Sequence, residues 1–102
     1  MIELIIAASL SGTFLKGTDL NRLCQDASPQ CTSYVLGVVD GSRAAVAADR
    51  TFCLSREIKS SQLRDAVKHH LEEEPEQRHL PAASIVRQVL HEHFPCPKPN
   101  GR

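Results

Sequence analysis

Apolar residues recur at intervals of three and four in several stretches of this chain, and an alternation of apolar and polar positions never persists. That rhythm predicts helices and no sheet. After Gly17, the run TDLNRLC places Leu20, Leu23 and Cys24 on one side of a short helix, with Thr18 or Asp19 as its cap. The segment QDASPQ interrupts it, and Ser28 with Pro29 forms a second helix start. There Tyr34, Val35, Val38 and Val39 make an apolar stripe. Gly37, Gly41 and Ala45 stand four apart beside that stripe. Either they form a smooth strip where another backbone comes close, or Gly41 ends the helix and RAAVAAD begins another. The short apolar piece TFCLSREI reads as an extended connector that delivers Cys53 to the core. Leu63, Ala66, Val67 and Leu71 then mark a third helix, capped by Ser60 or Ser61 and stopped in EEEPEQRH by Pro75. Pro81 opens the last helix, whose face is Ile85, Val86, Val89, Leu90 and Phe94, and Pro95 closes it. The expected fold is all-α, a small bundle of four to five short helices.

Composition narrows this further. With 102 residues the chain supports a single core. Its aromatic content is one Tyr and three Phe with no Trp, so that core is aliphatic. Twelve basic and twelve acidic side chains balance to zero, which argues against nucleic acid or an anionic membrane as partner. No apolar run reaches membrane-spanning length. Residues 13–96 read as one domain, preceded by 1–12 as either a signal-peptide remnant or a disordered start and followed by 97–102 as a flexible tail. The start MIELIIAASL carries an apolar stretch but opens with Glu3 where a signal peptide has basic residues.

Four cysteines, Cys24, Cys31, Cys53 and Cys96, are the most informative count. An even number without close C-x-x-C doublets in a small chain reads as two disulfides in an oxidising compartment. Zinc is disfavoured, because His91 and His93 lie about 200° apart on a helix and His69 and His70 also diverge. Neither a glycine-rich phosphate loop, nor an H-E-x-x-H helix, nor a G-x-S-x-G elbow is present. The expectation is therefore a protein without catalytic residues, metal or cofactor. What remains is the charged turn LEEEPEQRH, three acids before a proline and a basic pair after it, projecting between two helices. A polar loop on a braced scaffold is a common way to present a probe to a partner.

Taken in order, GTDLNRLC, CTSYVLGVVDG and the stretch from FCLSREI to HEHFPC resemble the Rap/Tai family of immunity proteins. The resemblance is carried by Gly17, Leu20 and Cys24; by Cys31, Tyr34 and Gly37; by Phe52 and Cys53; by Pro75; and by Phe94, Pro95 and Cys96. One departure is Ser55, where the family's connector usually has proline. The resemblance implies a periplasmic, dimerising binding protein that blocks the active-site groove of a type VI secretion amidase, an enzyme that cleaves peptidoglycan peptides. Glu72, Glu73, Glu74, Glu76, Gln77, Arg78 and His79 are the expected effector-binding residues. A different periplasmic binding module on the same scaffold, a hydrolase inhibitor or an acid-stress chaperone, is the alternative. Of the three possible cysteine connectivities, local geometry favours Cys24–Cys31 across the short break, leaving Cys53–Cys96 to tie the connector to the end of the last helix.

Overall fold

The structure is a computed structural model describing residues 14–26, 29–45 and 52–97, with the side chains of 43–45 excepted. The described residues contain four helices: α1 (Gly17–Gln25), α2 (Gln30–Ala45), α3 (Ser60–Glu73) and α4 (Ala82–His93), with a 3-10 turn at Pro75–Gln77 between the last two. Each helix touches the other three, so the bundle closes around one core. Among the described residues there is no strand. The one extended pairing is an isolated antiparallel bridge between Lys16 and Pro81.

The core is aliphatic, as the composition requires. α1 contributes Leu20 and Cys24, α2 Cys31, Val35 and Val39, α3 Leu63, Val67 and Leu71, and α4 Ala82, Ile85, Val86, Val89 and Leu90. On α2 and α3 the buried positions are four apart, and on α4 they fall in adjacent pairs three and four apart. Such stripes bury one side of each helix, and this burial, more than intrinsic propensity, stabilises helices of 9 to 16 residues. Phe52 is the single buried aromatic ring from the connector.

Both disulfides form as the local argument expects: Cys24–Cys31 joins the end of α1 to the start of α2, and Cys53–Cys96 joins the connector to the segment after α4. A backbone bond from Cys53 N–H to the Phe94 carbonyl, 2.9 Å, lies beside the second bridge. Ser55, at the family's proline position, accepts from Ile58 N–H at 3.3 Å and so sits at the head of a turn.

Three helix-boundary expectations need correction. α1 starts two residues earlier than a Thr18 cap allows and three earlier than an Asp19 cap: Lys16 occupies the cap, and Asp19 acts from the third helical position by accepting from Lys16 N–H at 3.0 Å. In α3 the cap is Lys59 rather than a serine, and the Gln62 side chain accepts from its N–H at 2.6 Å. Either arrangement satisfies an orphan N–H at the helix start from within the first turn. Finally, Gly41 does not end a helix, because α2 continues through it to Ala45. Nor, among the described residues, does a neighbouring backbone close on Gly37 or Gly41, since a Cβ at either would meet none of their atoms within 4 Å. Ser28, most of RAAVAAD and residues 1–12 lie outside the described residues.

Candidate functional site

The charged turn is held by a succession of backbone and side-chain hydrogen bonds. α3 ends at Glu73 because Pro75 has no N–H to continue the ladder, and Glu74 closes the helix by donating its N–H to the His70 carbonyl at 2.9 Å. Tight bonds then follow in succession: Gln77 N–H to the Glu74 carbonyl at 3.0 Å, Arg78 to Pro75 at 3.2 Å, and Leu80 to Gln77 at 3.0 Å. Side chains reinforce the turn from outside. His70 Nε2 donates to the Gln77 side-chain oxygen at 2.8 Å, and His79 Nδ1 donates to the Glu76 carbonyl at 2.9 Å.

A second set of contacts ties the turn to α1. Thr18 N–H and the Thr18 hydroxyl both donate to the Arg78 carbonyl, at 2.9 Å and 3.3 Å. Gly17 N–H donates to the Leu80 carbonyl and Ala82 N–H to the Leu15 carbonyl, each at 2.8 Å. Glu72, in the last turn of α3, accepts from the Gln25 amide at 3.1 Å and pairs with Lys68 at 3.3 Å. Gln25 directly follows Cys24, so the first disulfide and the edge of the loop share a support.

The seven residues expected to bind a partner therefore differ in their surroundings. Glu72, Glu73, Glu76 and His79 are exposed, while Glu74, Gln77 and Arg78 are half-buried. Arg78 turns inward and donates from Nε to the Leu71 carbonyl at 2.7 Å. That carbonyl lies near the C-terminus of α3, where backbone acceptors lack helical partners and a cation is favourable. The acidic residues carry distinct electrostatics. The hydrogen bonds from Gln25 and Lys68 hold the Glu72 carboxyl below its ordinary value. Glu74 and Glu76 share a hydrogen bond that raises the proton affinity of Glu74 and lowers that of Glu76. Two carboxyls sharing one proton is the expected response to close like charges.

Other chemistry is sparse. With all four cysteines in disulfides, none supplies a thiol nucleophile. No cluster of three or more His, Cys, Asp or Glu side chains among the described residues is arranged to hold a metal ion. A groove of about 340 Å³ lies between α2, the connector and the start of α3, with Leu36, Leu54 and Ile58 on its walls and Asp40 and Arg56 at its polar edge. It sits at the opposite end of α3 from the charged turn, some 15 Å along the helix axis. Sequence reading missed this groove, because its wall joins residues from three separate segments.

The chain matches the family of Rap1a immunity proteins over residues 16–96, and it belongs to that family. Membership gives it an immunity function against a toxin effector, with a cognate effector protein as its partner. No curated protein and no solved structure matches it significantly. The two disulfides and the immunity family fit an extracytoplasmic location, and no helix among the described residues is long and apolar enough to cross a membrane.

Proposed function

We propose that this protein is a periplasmic immunity protein that binds a type VI secretion amidase and blocks its peptidoglycan-cleaving site, protecting the producing cell and its kin. It acts by binding, as a homodimer, and the contact is made by the Glu72–His79 turn with the flanking ends of α3 and α4. The observation that carries this reading is the family match over residues 16–96. Support for the turn comes from its construction: exposed Glu72, Glu73 and Glu76 stand on backbone hydrogen-bonded to both α3 and α1. A rigid probe loses less conformational entropy on binding than a free loop. Its negative charge calls for a basic rim on the effector, which speeds encounter and weakens as salt rises.

The test mixes the purified, oxidised protein with type VI cysteine amidases and follows release of peptide from peptidoglycan. Stoichiometric inhibition of one of them is expected. The Glu73→Lys/Glu76→Lys variant should lose at least about tenfold in affinity while keeping its melting temperature, since exposed charges contribute little to folding. Unchanged hydrolysis by every such amidase in the presence of excess protein would sink the amidase reading. Full inhibition by the charge-reversed variant would remove the turn from the contact surface. Light scattering of the free protein checks the dimer, with a monomer mass refuting it.

A further inference from the structure

We infer that Arg78 is a positioning residue: together with Gly17 it locks the charged turn onto α1 and the end of α3, so that the acidic tip is preset for its partner. The inference rests on the reading that this turn makes the contact, and it assigns Arg78 to the support of the surface instead of to the surface itself.

Three observations converge on the lock. First, the half-buried Arg78 side chain is committed inward, its Nε to the Leu71 carbonyl at 2.7 Å, bridging from the turn back to the last turn of α3. No carboxylate among the described residues forms an ion pair with it. Its hydrogen bond therefore goes to backbone, where it satisfies an acceptor that the helix end leaves open. Second, the Arg78 carbonyl takes both the N–H and the hydroxyl of Thr18, sixty residues earlier. One residue thus joins α3, the turn and α1. Third, the fit needs glycine at position 17. A Cβ there would stand 2.6 Å from Ile85 Cδ1, 2.8 Å from Arg78 Cα and 2.9 Å from the Arg78 carbonyl oxygen. Two of those atoms are backbone and cannot swing aside, so only a residue without a side chain lets α1 approach the turn this closely.

The side-chain chemistry supplies a discriminating pair of variants. Glutamine carries an N–H donor the same number of bonds from the backbone as arginine Nε, but no charge. Arg78→Gln keeps the bond to Leu71 and removes the cation, whereas Arg78→Ala removes both. Hydrogen exchange on the free protein forms the first arm. In Arg78→Ala the amides of Gly17, Thr18 and Leu80 should exchange at least about tenfold faster, with the core amide of Val89 unchanged; in Arg78→Gln they should stay within about twofold of the native protein. Should Arg78→Ala fail to fold, Gly17→Ala is the substitute for that arm. The second arm uses the amidase identified by the inhibition assay: Arg78→Ala weakens binding about tenfold and Arg78→Gln restores it.

Equal loss of binding in both variants would make Arg78 a charged contact and overturn the inference, as would unchanged exchange in Arg78→Ala. If charge reversal at Glu73 and Glu76 leaves inhibition intact while the exchange pattern appears, the contact assignment fails and the lock stands. The two failures are thereby told apart.

Discussion

Glu74 and Glu76 carry the clearest electrostatic signature at the scale of single residues. Their shared hydrogen bond raises the affinity of Glu74 for a proton and lowers that of Glu76. The raised group stabilises the folded turn at low pH and loses that contribution as pH rises through its folded value. The depressed group contributes above the ordinary glutamate value and loses it as pH falls through its own. The turn is therefore tightest in the window around the ordinary carboxylate range, with one proton on the pair. Carboxyl carbon shifts followed by NMR should show Glu74 titrating above and Glu76 below the unperturbed value, and Glu76→Gln should bring Glu74 down. Two unperturbed curves would contradict the shared proton. Gly17 is the other decisive residue: Gly17→Ala should cost about 1–3 kcal/mol in denaturant melts, because the added methyl meets Arg78 backbone.

Among the helices, periodicity was the informative signal, and it located every core stripe. Leu71 ends the α3 stripe and is fully buried, so Leu71→Ala should destabilise by about 2–5 kcal/mol in a denaturant titration. The caps were less legible. Thr18, Ser60 and Ser61 have the composition of caps, yet Lys16 and Lys59 take the positions and are satisfied by Asp19 and Gln62 from inside the helix. A residue's capping preference is a local average, and the start of a helix is set by where the preceding chain must lie. In α1 that chain is bound to Leu80 and Ala82 by the bridge at Lys16 and Pro81. The glycines of α2 make the opposite point. Gly37 and Gly41 are exposed and a Cβ would meet nothing within 4 Å among the described residues, so Gly37→Ala and Gly41→Ala should each raise stability by about 0.5–1 kcal/mol in thermal melts. Destabilisation would show a close approach that is absent among the described residues.

For the molecule as a whole, the disulfides set the scale of stability. In the chain-entropy account, the bridge spanning 7 residues contributes about 2.5 kcal/mol and the one spanning 43 about 4 kcal/mol. A small domain has about 5–15 kcal/mol in total, so these are a large share. Reduction should unfold or greatly loosen the protein by circular dichroism, and Cys53→Ser/Cys96→Ser should cost more than Cys24→Ser/Cys31→Ser. The reverse order would indicate that local strain or residual structure outweighs chain entropy. The same dependence links stability to an oxidising compartment, where such bridges persist.

By itself the sequence determined the helical class, the aliphatic core and the position of the charged turn, since each follows from spacing or composition within a short window. The pairing of the cysteines was partly legible for the same reason: Cys24 and Cys31 lie across one short break. Tertiary structure alone decided that Arg78 turns inward, that Thr18 supports it from sixty residues away, and that Gly17 is needed as glycine. None of these has a local signature. Arg78 stands in a polar, charged run and reads as solvated until the end of α3 and the start of α1 converge on it. The turn was visible as charge; its rigidity comes from contacts between segments far apart in the chain, which only packing brings together.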